Sequence, residues 1–185
     1  MEQIEASAFK QILEGCRRRD RSYQNALYRL FYPYGMSICI RYADNETEAI
    51  SILNDGFLKV FQNIKKYDSE QPFKPWFRKI LINTALNHIK KQKRFKMEVQ
   101  LDEAGQMETR EDILSRIGYQ ELMAMVQSLS AAYRTVFNMY VIDGYSHNEI
   151  ARTLGISVTT SRSNLTRARA KLRELVSQKL NKSNV

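Results

Sequence analysis

The sequence predicts an all-α fold of two helical domains, an N-terminal helical bundle and a C-terminal helix-turn-helix domain, joined by a flexible acidic linker. Three observations carry that expectation. Glycine and proline are scarce, 7 and 3 among 185 residues. Apolar residues recur at three- and four-residue spacing through most of the chain, the period of a helix with one buried face. The charge flips once, from a basic helix to a stretch over residues 98–112 holding six acids (Glu98, Asp102, Glu103, Glu108, Glu111, Asp112) against one base, Arg110.

The elements follow in order. A first helix over residues 4–19 turns Ile4, Ala8, Ile12 and Leu13 inward and closes on Arg17-Arg18-Arg19, where cations suit the negative end of the helix dipole. A second, over residues 22–43, is rich in Tyr and Leu, and Pro33 should kink or interrupt it. A third, over residues 46–66, buries Ile50, Leu53, Phe57, Phe61 and Ile64 and leaves Asn54, Asp55, Lys59 and Gln62 available to a partner. YDSEQPFKP (residues 67–75) is a loop by its prolines and polarity.

Pro75 then sits well at the start of a fourth helix, expected over residues 76–93. Between Arg78 and Lys96 it carries seven cations and no acid. Leu81, Ile82, Ala85 and Ile89 form its apolar back, and Asn83, Asn87, Lys90 and Arg94 its front. Amides can bond base edges while lysines neutralise phosphates. Trp76 reads as core, whereas Phe73, placed in the loop, is the better candidate for touching an unpaired base.

The acidic tract is the linker. Taken as about 18 residues, it reaches roughly 60 Å when extended, against about 55 Å for some sixteen base pairs of duplex. Beyond it Leu122, Met125, Val126 and Leu129 mark one helix, and Ser130 caps another that carries Val136, Phe137, Tyr140 and Val141. Ser146 and Glu149 have capping-box spacing, Gly155 suits a left-handed helix end, and Ser157 offers the next N-cap. The last helix, from Val158 to beyond Leu175, gathers Leu165, Ala168, Leu172 and Leu175 on one side. Thr159, Arg162, Ser163, Thr166, Arg169 and Arg173 gather on another, with Arg167 at its margin. A major groove about 12 Å wide admits such a helix, and arginine can bond guanine twice.

Composition bounds the rest. The 29 Lys and Arg exceed 20 Asp and Glu for a net +9, which favours a polyanionic partner. No apolar run of about 20 residues is present, so no membrane insertion is expected. The start, MEQIEASAFKQIL, lacks the pattern of a secretory signal. Cys16 and Cys39 fit no zinc or disulfide pattern and read as reduced thiols, and His88 and His147 are not spaced as a ligand pair. No phosphate loop is present and the acids cluster in the linker, so no metal, cofactor or catalytic site is expected, against a nuclease or nucleic-acid modifier. A stand-alone dimeric operator binder explains the C-terminal module but not the basic fourth helix with its aromatic loop.

Three segments together resemble one family. NDGFLKVFQNIKKYD (residues 54–68), PFKPWFRKILINTALNHIKKQKR (residues 72–94) and LSAAYRTVFNMYVIDGYSHNEIARTLGISVTTSRSNLTRARAKLREL (residues 129–175) resemble, in this order, the polymerase-clamp helix, the minus-ten segment and the minus-thirty-five reader of an extracytoplasmic-function sigma factor. That group belongs to the sigma-seventy family of bacterial RNA polymerase. The resemblance implies a non-enzymatic, cytoplasmic specificity subunit for promoter-specific transcription initiation. Its partners would be core RNA polymerase (β′ clamp helices and β flap), promoter DNA and an anti-sigma factor. Residues 1–96 would be sigma domain two, 97–112 the linker, which in the family passes through the polymerase channels, and 113–185 sigma domain four. Asn54, Asp55, Leu58 and Gln62 would meet the β′ coiled coil. The loop over residues 67–74, with Tyr67, Phe73 and Lys74, would capture a flipped minus-ten base, and Asn83, Asn87, Lys90 and Lys91 would hold the melting edge. Arg162, Ser163, Thr166 and Arg167 would read the minus-thirty-five element, with Thr159, Thr160 and Arg169 on phosphates. Departures are Ile50 and Ser51 where members carry acids, Asn87 for a common aspartate, and Asn164 and Thr166 where Arg or aromatics are frequent. No N-terminal autoinhibitory region or middle sigma domain is seen.

Overall fold

A computed structural model describes residues 6–98 and 117–183, and within these not the side chains of 6, 92–98, 117, 119–120 and 180–183. Of the linker expected over residues 97–112, residues 97 and 98 are helical, and 99–112, with all but the first of its acids, lie outside the described residues. The chain divides into two compact units, Met1–Asp102 and Glu103–Val185.

In the first unit, α1 (Ala6–Arg17), α2 (Arg21–Cys39), α3 (Glu46–Asn63) and α4 (Phe73–Glu98) pack around an aromatic core, with one 3-10 turn, Ile64–Lys66, closing α3. The starts of α2 and α3 are set by side-chain caps. Asp20 accepts from the Ser22 N–H at 2.8 Å and Asn45 from the Glu48 N–H at 2.8 Å, satisfying donors that a helix start leaves over. Pro33 neither ends nor interrupts α2. Its missing N–H deprives the Arg29 carbonyl of a donor, but both residues lie on the exposed side, where water can replace it.

The α3 core is centred on Ala49, Ile52, Leu53, Phe57 and Val60, with Ile50 and Phe61 only half-buried at its margins. α4 crosses α3 closely at Gly56. A Cβ there would stand 2.4 Å from the Leu81 Cδ2. Alanine gains about 1 kcal/mol in helix propensity over glycine, whereas crowding a fully buried leucine costs about 1–3 kcal/mol. Gly56→Ala is therefore expected to destabilise this unit by about 1 kcal/mol in chemical denaturation. A gain in stability would show that Leu81 has room to move.

In the second unit, α5 (Ile117–Gln127), α6 (Ala131–Phe137), a π-helical turn (Asn138–Ile142), α7 (His147–Leu154) and α8 (Val158–Ser183) enclose Val126, Leu129, Val136, Met139, Ile150, Leu165 and Ala168. Two expectations need correction. Ser130 holds the N-cap position of α6 but its side chain makes no capping bond. Tyr140 and Val141 are not core. The π turn, closed by the Asp143 N–H on the Asn138 carbonyl at 2.9 Å, buries Asn138 and Met139 and turns Tyr140, Val141 and Ile142 outward. Among the described residues there is no strand and no helix long and apolar enough to cross a membrane.

Candidate nucleic-acid interface

The α4 face is built from its back. Leu81, Ile82, Ala85, Leu86 and Ile89 are buried, and two polar clasps flank them. Lys59 of α3 donates to Thr84 Oγ1 at 3.0 Å, and His88 Nε2 lies 3.3 Å from Glu48 Oε1. Lys59 is thus engaged within the bundle, contrary to its expected availability. A lysine with a buried hydroxyl partner one helix away cannot be identified from its own helix's spacing. With that side sealed, Lys79, Asn83, Asn87, Lys90 and Lys91 all stand exposed on the other. Asn83 to Lys90 spans about 10 Å along the axis.

The loop before α4 corrects a further expectation. α4 begins at Phe73, three residues early, and Phe73 and Tyr67 are each 5% exposed. The Phe73 ring packs against Phe31 at 4.7 Å, Tyr67 at 5.4 Å, Trp76 at 5.5 Å and Phe9 at 5.6 Å. Neither ring is placed to stack on a base; both brace the loop. Tyr67 also donates its hydroxyl to the Gln71 carbonyl, and Arg17 of α1 donates to the Tyr67 carbonyl at 3.0 Å. What the loop presents outward is residues 68–72, all exposed, beside a half-buried Trp76. Lys74 is half-buried, its ammonium 5.6 Å from the Tyr34 ring centroid.

On α3, Asn54, Asp55, Leu58 and Gln62 share the exposed side. Leu58 is 56% exposed, and Asn54 is oriented by the Tyr28 hydroxyl at 3.0 Å.

In the second unit the helix-turn-helix forms by the expected devices. Ser146 and Glu149 make a complete capping box. Gly155 takes the left-handed conformation at φ 69°, and Ser157 accepts from the Thr160 N–H at 2.9 Å. Thr159, Thr160, Arg162, Thr166, Arg167 and Arg169 are exposed and Ser163 is half-buried, with Leu165 and Ala168 buried behind them. The Thr160 hydroxyl is shared with Ser157 Oγ at 2.8 Å, and the Thr166 hydroxyl donates to the Arg162 carbonyl at 3.1 Å.

Sequence reasoning missed the pin that sets α7 on α8. His147 Nδ1 lies 2.9 Å from the fully buried Ser161 Oγ, and its ring stacks on Tyr140 at 4.4 Å. Arg169 stands 5.9 Å over the same Tyr140 ring. The available signal was a serine on the apolar side of α8, four residues before Leu165. Burial, then the Arg162 and Arg169 charges, push the His147 pKa below its ordinary value, so the ring is neutral near pH 7.

Glu149 is held below its usual pKa of 4.5 first by the Ser146 backbone N–H and then by its hydroxyl. A lowered carboxylate pKa adds stability above its unfolded value, which is lost as pH falls through the folded value. Glu149→Gln, which can keep the backbone bond, is expected to flatten the acid side of this unit's pH–stability profile. An unchanged profile would remove the capping box from its acid sensitivity. Cys16 and Cys39 are free and buried, and burial raises their pKa values to about 11 and about 12, leaving unreactive thiols. Among the described residues no cluster fit to hold a metal ion is present.

Comparison with known proteins gives the same order of parts. The Sigma-70 region 2 family model matches residues 27–95, and the model for Sigma-70, region 4 matches residues 119–172. The chain is 28% identical over 166 residues to the ECF RNA polymerase sigma factor SigE of Mycolicibacterium smegmatis, covering 85% of this chain and 60% of that one. It thus spans about three fifths of that relative. It is 27% identical over 164 residues to the ECF RNA polymerase sigma factor SigW of Bacillus subtilis, covering 82% and 83%. The sigma factor RpoE in complex with the anti-sigma factor NepR from Bartonella quintana aligns at a TM-score of 0.52 with 20% identity, covering 83% of this chain and 96% of that one, a likeness of fold. The sigma-70 family is not a family of enzymes. Both regions stand in family order, one carrying an amide-and-cation helix face and the other a capped helix-turn-helix, and the chain belongs to the sigma-70 family of sigma factors, in its extracytoplasmic-function group.

Proposed function

We propose that this chain is a non-catalytic, cytoplasmic specificity subunit that binds core RNA polymerase and directs initiation at promoters with minus-thirty-five and minus-ten elements. Residues 1–96 act as sigma domain two, 97–112 as the connecting segment and 113–185 as sigma domain four. The observation that carries the reading is the pair of outward cationic faces on separate units. One is Lys79, Asn83, Asn87, Lys90 and Lys91 on α4, and the other Thr159, Arg162, Ser163, Thr166, Arg167 and Arg169 on α8.

The roles follow from the chemistry. On α8, Arg162 and Arg167 read base edges with Ser163 and Thr166, and Thr159, Thr160 and Arg169 hold phosphates. On α4, Asn83 and Asn87 meet bases at the melting edge while Lys90 and Lys91 neutralise the strand. The loop captures the unpaired base with its outward residues 68–72, braced from beneath by Tyr67 and Phe73. A site that accepts only unpaired bases favours the open promoter by its differential affinity for the two states. Asn54, Asp55, Leu58 and Gln62 present a polar rim around one apolar knob to the β′ clamp helices, and the second unit meets the β flap. The Bartonella quintana protein is held by an anti-sigma factor, and a partner of that class would silence this chain.

Transcription with purified core polymerase tests the reading. Adding the chain should give initiation at discrete promoters of a genomic template, and no specific initiation on any template would end it. Leu58→Asp should weaken binding to core at least tenfold, as loss of an interface anchor does, and leave the melting temperature unchanged because Leu58 is 56% exposed.

A further inference from the structure

The cations at the α1–α2 turn have no place in the site described so far. Arg18, Arg19 and Arg21 are exposed and make no ion pair among the described residues. Of the three, Arg18 lines an open hollow of ≈600 Å3 together with Lys10, Gln11, Glu14, Asp20 and Tyr23, within the range of about 300–1,000 Å3 that small-ligand sites occupy, and Arg19 and Arg21 flank Asp20 in the chain. Its two carboxylates are already engaged: Glu14 pairs with Arg17, and Asp20 accepts the Ser22 N–H at 2.8 Å. Its cations, Lys10 and Arg18, make no ion pair among the described residues.

The hollow also holds a stacking platform. The Tyr23 ring lies directly on Gly15, where a Cβ would stand 2.1 Å from the ring. That seat fixes the ring on one side, and Tyr23 is 39% exposed. Arg19 keeps a left-handed φ of 62° in the turn, a conformation that costs a non-glycine residue energy. The turn adjoins the base-capture loop, because Arg17, next to Arg18, bonds the Tyr67 carbonyl at 3.0 Å. An aromatic face among free cations is the recognition chemistry of single-stranded nucleic acid.

We infer that the α1–α2 hollow is a second single-strand subsite, taking one nucleotide of the unpaired promoter strand beside the loop. The base lies against Tyr23 and the adjoining phosphates on Arg18, Arg19 and Arg21. The inference rests on the proposed role in promoter opening.

The test uses holoenzyme assembled from the full chain and core polymerase, with a pre-melted promoter bubble carrying 2-aminopurine at successive positions of the unpaired strand. One position should be quenched by wild type and by Tyr23→Phe, and unquenched by Tyr23→Leu. Combining Arg18→Gln, Arg19→Asn and Arg21→Gln should reduce the log–log salt slope of bubble binding by about 2, at about 0.7 per single-strand phosphate contact. An unchanged slope in the triple variant, or an unchanged quenching pattern in Tyr23→Leu, overturns the inference. So does loss of affinity for core polymerase in the triple variant, which would assign the patch to the polymerase. Wild-type holoenzyme that initiates at no promoter defeats the preceding reading instead. Wild type that initiates, with variants indistinguishable from it, defeats only this one.

Discussion

Phe73→Ala is expected to remove about 3–5 kcal/mol from the stability of the first unit, the usual cost of truncating a buried phenylalanine. The ring is 5% exposed and faces α1, α2, the loop and its own helix at once, through Phe9, Phe31, Tyr67, Trp76 and Phe77. Removing it leaves a cavity at the meeting point of four segments, which no single side chain can fill. Against a typical net stability of about 5–15 kcal/mol, that loss brings the unit close to unfolding at physiological temperature. Urea denaturation followed by far-ultraviolet circular dichroism measures it. If Phe73 instead only touched DNA, the variant would unfold with the wild-type midpoint and lose open-complex formation alone. Phe73→Leu, which keeps most of the apolar volume, should cost clearly less and retain promoter opening.

Arg162→Ala is expected to lose about 1–3 kcal/mol of discrimination at one base pair of the minus-thirty-five element, about 5- to 150-fold in affinity ratio. Arg162 is exposed near the N-terminal end of α8, the part of a recognition helix that meets bases. Its guanidinium makes no ion pair among the described residues. Thr166, one turn on, bonds its carbonyl at 3.1 Å. Binding of holoenzyme to a panel of single-base promoter variants measures the effect. Equal weakening across the panel, with a salt slope lower by about 1, would make Arg162 a phosphate contact instead. Arg169→Ala is the comparison. Its guanidinium lies over Tyr140, and it should weaken all sequences alike.

The two variants also mark where the sequence was legible. The helix-turn-helix was readable almost to the residue, because its boundaries are local events. Ser146 and Glu149 cap within one turn, Gly155 turns left-handed on its own, and Ser157 caps the next helix three residues on. The two faces of α4 were readable because a 3.6-residue period separates Leu81, Ile82, Ala85 and Ile89 from Asn83, Asn87 and Lys90 without reference to any neighbour. Phe73 was misplaced because nothing within its own segment says that Phe9 and Phe31, some 60 and 40 residues away, converge on it. Lys59 was misplaced for the same reason, its partner being a hydroxyl on another helix.

The sequence by itself determined the helical class, the charge break between a basic and an acidic stretch, and the turn chemistry of the recognition module, all matters of period, composition and short-range capping. Only the tertiary structure decided which side chains are free to act. It enclosed Phe73 and Tyr67, engaged Lys59, turned Tyr140 outward through the π turn, and joined His147 to Ser161 across two helices. The physical reason is that burial and long-range hydrogen bonds depend on which distant segments meet, and a helical period constrains only the face a residue occupies, not what covers it.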